Sequence, residues 1–343
     1  MRPALLPADD MKAEQSHHDA TGFRNPWPGS TPHGIGGLLK WMMTRSGGAA
    51  TPSPPEHTTL PASAISSKPP LDRSDKLAIS WIGHSSFLLQ CDGLNILTDP
   101  VWSARASPVS FIGPHRLVPP AIQFEQLPPI DITLVSHDHY DHLDDSTVRR
   151  LIDRFPSMQW LAPLRVGAFL RRRGARDVTE LDWWDRHEAL GVTIGCTPAQ
   201  HFSGRYPWNR NATLWCGWSL WFGDGTRLFF AGDTGLHPQF GEISRRLGPF
   251  DLAILPIGAY EPRWFMRPVH MSPEDSVTAF QHLTAGSARD CVMVGSHWGT
   301  FRLTDEPVME PPHLARQSWS QAGLPPDRLW ILAHGETRTL ARR

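Results

Sequence analysis

From Lys76 onward the apolar residues fall into short runs bounded by turn residues. Leu77-Ala78-Ile79-Ser80-Trp81-Ile82 and Ser86-Phe87-Leu88-Leu89-Gln90 have the length and composition of strands. Leu94-Asn95-Ile96-Leu97-Thr98 is a third, and the Asp92-Gly93 turn before it predicts a hairpin. Ile132-Thr133-Leu134-Val135 is a short apolar run of the buried kind. Further strands are expected at Val192-Thr193-Ile194, Leu214 to Phe222, Leu228-Phe229-Phe230 and Leu252-Ala253-Ile254-Leu255. Two helices interrupt them. One runs from Thr147 to Phe155, with Asp144, Asp145 or Ser146 as its N-cap. The other covers Ser276 to Leu283 and is announced by a Ser272 cap, Pro273 at the first helical position and then Glu274 and Asp275. Strands mixed with helices in this way predict an α/β sandwich.

Residues 1–75 carry no such pattern. They are rich in Pro, Gly, Ser and Thr, most of all between Ser46 and Pro70, and are expected to form a partly ordered arm. The folded domain is expected over 76–343. Within the arm, Gly37-Leu38-Leu39-Lys40-Trp41-Met42-Met43 is a short apolar and aromatic patch. It suits an element docked on the domain, or a membrane-surface or dimer contact.

Charge narrows the function classes. Lys and Arg total 33 against 34 Asp and Glu, which gives no basic excess for a polyanion, so no nucleic-acid partner is expected. The run Arg171-Arg172-Arg173 is read as a solvated face. Cys91, Cys196, Cys216 and Cys291 form no C-x-x-C pair and are expected to be free thiols. No run of about 18 apolar residues is present to span a membrane, and Met1 to Pro7 is too short in apolar length for a secretory signal. A cytoplasmic protein is expected.

Seventeen histidines direct attention to metal chemistry. Ser136-His137-Asp138-His139-Tyr140-Asp141-His142 directly follows the strand at 132–135. Three His and two Asp at this spacing are costly to bury without a ligand, and imidazole with carboxylate is what Zn(II) or Fe(II) prefers. His137 and His139 would point one way, while Asp141 and His142 turn toward a neighbouring point. That arrangement suits two adjacent metal positions. Later strands end in Gly232-Asp233 and Ser296-His297, and a carboxylate or imidazole at a strand end is placed for a site. Asp99, at the end of the strand 94–98, is a candidate to orient a ligand imidazole. His201, after Thr197-Pro198-Ala199-Gln200, would by itself be read as a structural histidine.

The order H-x-H-x-D-H, His, Gly-Asp, His resembles the metallo-β-lactamase superfamily. More closely, the chain resembles the N-acyl-phosphatidylethanolamine-hydrolysing phospholipase D family. The matching stretches include Thr98-Asp99-Pro100, Arg105-Ala106-Ser107-Pro108, Glu180-Leu181-Asp182-Trp183-Trp184, Pro256 through Met266, His297-Trp298-Gly299-Thr300-Phe301 and His334-Gly335-Glu336. The likeness covers roughly residues 76–340, and Asn25-Pro26-Trp27-Pro28 extends it into the arm. The resemblance implies an αββα four-layer sandwich with two Zn(II) ions per chain. It places His137, His139 and His201 on one ion, Asp141, His142 and His297 on the other, and Asp233 between them. It also implies a homodimer, for which the residues carry no independent signal. His270 matches a position at the family's substrate site. At Ser110-Phe111 the chain departs from the mammalian members, which have a Gln-Tyr pair at the lipid; this bears on headgroup and acyl preference.

The resemblance further implies hydrolysis of N-acyl-phosphatidylethanolamine-like lipids to N-acylethanolamine and phosphatidic acid. The expected attacking group is a metal-bridging hydroxide, since two metals lower the pKa of water toward ~7. Asp141 and His270 are the expected catalytic residues. Trp264, Phe265 and Met266 are the expected lipid contacts, whereas Trp215, Trp218 and Trp221 suit ordinary sheet packing. A lipid substrate would bring the chain to the inner face of a membrane. The rivals are another hydrolase of this fold (a lactonase, nuclease or soluble phosphodiesterase), a non-heme iron redox protein, and a non-catalytic lipid-binding or scaffold protein. Iron-binding relatives carry an acid where His139 stands, and a scaffold should have damaged ligands.

Overall fold

The computed structural model describes residues 16–47, 72–206 and 208–340. Most of the expected linker between Ser46 and Pro70 lies outside them.

Two seven-stranded sheets make up the domain. In the first, β1 (Ala78–Gly83), β2 (Ser86–Cys91), β3 (Leu94–Thr98), β4 (Ile132–Leu134), β5 (Gln159–Pro163) and β6 (Val178–Leu181) lie side by side, and β14 (Thr337–Thr339) returns to pair with β1. The second runs in the order β13 (Leu329–Trp330), β12 (Val292–Ser296), β11 (Leu252–Pro256), β10 (Arg227–Phe230), β9 (Gly217–Trp221), β8 (Val192–Thr197) and β7 (Arg186–Ala189). The β1–β2–β3 meander and β7–β8–β9–β10 are antiparallel, whereas β3–β4–β5–β6 and β10–β11–β12–β13 are parallel.

Period-two alternation sends successive side chains of the first sheet into different cores. Ile79, Trp81, Phe87, Leu89, Ile96 and Leu134 face the second sheet, where they join Ile194, Trp218, Leu220 and Phe229. Ile82, Leu88, Leu97 and Trp160 face outward, toward Val148 and Leu151 of the helix Asp145–Arg154. On the far side, Phe240 and Ile243 of Phe240–Leu247, Phe280 of Pro273–Thr284 and Trp319 of Glu310–Gln321 cover the second sheet. The result is the expected αββα order of layers.

Local signals are realised as expected at both helix starts. Asp144 is the N-cap of Asp145–Arg154. Ser272 accepts the Asp275 N–H in a capping box, with Pro273 opening the helix. The strand expected from Leu214 begins only at Gly217. A Cβ there would stand 2.6 Å from Thr197 Oγ1 and 2.8 Å from the Phe230 carbonyl oxygen, so glycine permits the close approach of β8 and β10.

The N-terminal segment lies against the domain. His17 and His18 each bond one oxygen of Asp182 at 2.7 Å. Trp27 stacks between Trp183 and His237, at centroid distances of 5.7 and 4.7 Å. The helix Ile35–Gly47 buries Trp41 against Phe265 and leaves Ile35, Leu38, Leu39, Met42 and Met43 exposed. All four cysteines are buried and none is in a disulfide among the described residues.

Candidate metal centre

The site forms where both sheets end on one rim. The loop 136–142 leaves β4 of the first sheet. His201 follows β8, Asp233 follows β10 and His297 follows β12, all in the second. Parallel strands present their carboxyl ends together, so residues far apart in sequence converge there.

His137, His139 and His201 form one group. His139 Nδ1 lies 2.8 Å from His137 Nε2 and 3.2 Å from His201 Nε2. Asp141, His142 and His297 form the other, with Asp141 Oδ2 at 3.5 and 3.6 Å from the two Nε2 atoms. Asp233 Oδ2 stands between the groups, 3.1 Å from His142 Nε2, 3.1 Å from His297 Nε2 and 3.8 Å from His201 Nε2. All seven expected residues are thus in one place.

Three of the rings are fixed by what their remote nitrogens touch. His142 Nδ1 meets Asp99 Oδ2 at 2.7 Å, and the same carboxylate accepts the Ser136 N–H and hydroxyl at 2.7 and 2.6 Å. Asp99 therefore ties the start of the loop to its end. Ser136 Oγ reaches His137 Nδ1 at 2.9 Å, and His201 Nδ1 donates to the Val269 carbonyl at 2.9 Å. Such outer contacts set ring orientation and tautomer.

The donor set fits a pair of cations. His142 Nε2, His297 Nε2 and Asp233 Oδ1 are buried and make no hydrogen bond among the described residues. Burial drives the His139 imidazole down to about 3 and His201 to about 4, so both are neutral with lone pairs to offer. Burial would raise Asp233, but His142 and His297 beside it outweigh that and hold the carboxyl well below its ordinary range. Asp141 is held low in the same way, against burial, by His142 first. One buried and one largely buried carboxylate call for positive charge, and nitrogen and oxygen donors at this spacing suit Zn(II) or a similar borderline ion.

His270 borders the cluster. Its Nδ1 is 3.9 Å from Asp233 Oδ2, and its ring centroid is 5.0 Å from that of His201. Ser110 lines a cavity of about 510 Å³ with Tyr140, the residue between His139 and Asp141, and Phe111 beside it is 79% exposed. The segment 264–266 divides. Trp264 is exposed, with Lys40 Nζ 4.7 Å from its ring centroid. Phe265 stacks on His33 and packs on Trp41, and Met266 is buried. Of the three expected lipid contacts, only Trp264 faces outward. Trp215 and Trp218 are core residues whose indole N–H groups donate to the Ala199 and Val135 carbonyls.

One residue at the site had no sequence signal beyond a Gly83-His84-Ser85 turn. His84 Nε2 lies 3.0 Å from Asp141 Oδ2, which places the ring beside Asp141, His142 and His297. Among the described residues, no helix is long and apolar enough to cross a membrane.

The family model described as "Beta-lactamase superfamily domain" matches residues 94–298. An N-acyl-phosphatidylethanolamine-hydrolyzing phospholipase D of Caenorhabditis elegans is 38% identical over 307 residues, which is 84% of this chain and 84% of that protein. An uncharacterized protein of Mycobacterium tuberculosis is 44% identical over 280 residues, 80% of this chain and 71% of that one. A solved metallo hydrolase from the archaeon Ignicoccus hospitalis covers 78% of this chain and 100% of its own at a TM-score of 0.58 and 24% identity, a likeness of fold alone. With these matches spanning both sheets and the rim between them, the chain belongs to the N-acyl-phosphatidylethanolamine-hydrolysing phospholipase D family of the metallo-β-lactamase superfamily and is a metal-dependent hydrolase.

Proposed function

We propose that the chain is a phosphodiesterase of phospholipase D type, with two zinc ions, acting on N-acyl-phosphatidylethanolamine-like phospholipids at a membrane surface. The observation that carries this reading is Asp233 Oδ2, set within 3.1–3.8 Å of imidazoles from both ligand groups. A single carboxylate so placed suits two ions held side by side. Such a pair, when bound, supplies Lewis-acid polarisation of a phosphodiester and a water that ionises near neutral pH. His137, His139 and His201 would hold one ion, Asp141, His142 and His297 the other, and Asp233 both.

The chain's own groups then do the rest. Asp141 orients the attacking water. The water oxygen bonds to phosphorus, the bond from phosphorus to the ethanolamine oxygen breaks, and the proton lost by the water ends on that departing oxygen. The products are phosphatidic acid and N-acylethanolamine. His270, beside Asp233, is placed to hydrogen-bond the phosphoryl oxygens. The apolar side chains Leu38, Leu39, Met42 and Met43 together with Trp264 and Lys40 support membrane contact, because they combine exposed hydrocarbon with a cation.

The test is product analysis by mass spectrometry. Zinc-loaded protein is incubated with mixed phospholipid vesicles containing N-acyl-phosphatidylethanolamine. Matching release of N-acylethanolamine and phosphatidic acid, abolished by chelator, is the expected result. No release from protein holding both metals would move the substrate to a lactone or a soluble phosphodiester.

A further inference from the structure

His84 occupies the turn between β1 and β2 with φ of 56°, a left-handed conformation uncommon for a residue with a side chain. Its neighbours explain what is held there. Its N–H donates to Thr300 Oγ1 at 2.6 Å. Its carbonyl accepts from Trp81 Nε1 at 2.9 Å and from the backbone N–H of His297 at 3.1 Å. Its ring lies on the His297 ring with centroids 3.9 Å apart, and Phe301 meets it edge-on at 5.3 Å. Its ring also stands 5.2 Å from that of His142, and its Nε2 lies 3.0 Å from Asp141 Oδ2. His84 thus touches Asp141 and His142 from the first sheet and His297 from the second.

The geometry points to His84 as a positioning residue for one half of the metal pair: its Nε2–H fixes the Asp141 carboxylate, while its carbonyl and ring face fix His297. The inference rests on the metal-centre reading and not on any particular substrate. With Nε2 3.0 Å from a carboxylate oxygen, which accepts, the ring presents its Nε2–H to Asp141. A hydrogen bond to Asp141 limits the rotation of the carboxylate and sets which oxygen faces His142 and His297. Among the described residues His84 makes no hydrogen bond to His137, His139 or His201, so its effect is confined to one of the two positions.

Full-length wild type, His84→Phe and His84→Gln are loaded with Co(II) and titrated with a competing chelator, the visible spectrum reporting each ion. His84→Phe keeps the ring against His297 but removes the donor. It is expected to weaken one ion about 10–100-fold and leave the other unchanged, the scale for loss of a ligand's outer partner. Gln carries an amide N–H near the position of Nε2 and is expected to restore most of the affinity. If His84→Phe does not fold, His84→Asn replaces it, because Asn tolerates the left-handed backbone and its shorter side chain falls short of Asp141. Unchanged affinity for both ions, equal weakening of both, or no restoration by Gln would each overturn the assignment. Wild type that takes up no cobalt would overturn the metal-centre reading with it. Failure to cleave N-acyl-phosphatidylethanolamine leaves the result untouched.

Discussion

Asn25 and His201, 176 positions apart, are joined by one hydrogen bond: Asn25 Nδ2 donates to the His201 carbonyl oxygen at 2.8 Å. The same amide nitrogen reaches the Ser30 carbonyl at 2.8 Å, so the N-terminal segment is folded around the contact. Nearby, the Phe23 N–H donates to the Asn211 carbonyl, and a Cβ on Gly22 would stand 2.1 Å from that oxygen. The segment is therefore a strap across the loop that carries His201. Asn25→Ala is expected to weaken the ion held by His137, His139 and His201 by about tenfold, as outer-contact losses do, and to spare the other. Metal content after graded dialysis against chelator measures it. Equal retention by the variant and wild type would mean that the strap covers the loop without setting it.

Asp141→Asn should retain its hydrogen-bonding shape and lose its charge. Turnover of a phosphodiester is expected to fall at least ~100-fold, the scale for losing a key group acting on a metal-activated nucleophile. The check is the rate of protein with its metal content measured. A near-wild-type rate in metal-replete protein would remove Asp141 from the chemistry.

His237 gives a pH prediction away from the ligands. Its ring is stacked between Trp27 of the strap and Phe240, and its Nδ1 accepts the Gln239 N–H. Burial lowers it from 6.5 to about 3. A folded-state pKa below the unfolded value means stability that is complete above pH 6.5 and is lost progressively as pH falls toward 3. Protonation would also remove the acceptor that Gln239 uses. His237→Phe keeps the stack and cannot protonate, so its Tm should fall less steeply than wild type across that window. Parallel curves would place the acid sensitivity elsewhere.

Trp264→Ala should weaken binding to phospholipid vesicles about tenfold, the order expected for losing a large apolar contact, while hydrolysis of a short soluble diester falls less. Vesicle sedimentation and a soluble-substrate assay compare the two. Equal losses would indicate damage to the short helix Arg263–Met266 instead.

Much of this centre was legible because strand ends mark themselves. An apolar run that stops at Gly-Asp or Ser-His places the polar residue on the rim, and Ser136 to His142 concentrates donors in one loop. His201 needed the family resemblance, since a single histidine after Pro-Ala-Gln carries no pattern. Adjacency in sequence groups residues 264–266 as one contact, yet a helix turns about 100° per residue. That rotation sends Trp264 out, Phe265 under the strap and Met266 inward. Trp215 and Trp218 sit where both faces are covered, so alternation could not separate packing from a ligand route. His84 was invisible because its importance depends on β1 and β12 ending on the same rim of different sheets. β7 and β13 escaped for a plainer reason. The first is a charged edge strand, Arg186–Ala189, and the second is two residues long.

The seven donors are divided between the sheets. Residues of the first contribute His137, His139, Asp141 and His142, and those of the second His201, Asp233 and His297. Under the proposed assignment neither half would own a complete set for either ion: the first position would lack His201 without the second sheet, and the second would lack His297. Occupancy at the rim would therefore record assembly. A molecule carrying both proposed ions would be one whose two halves have met in register, and an ion bound early in folding would hold that meeting together.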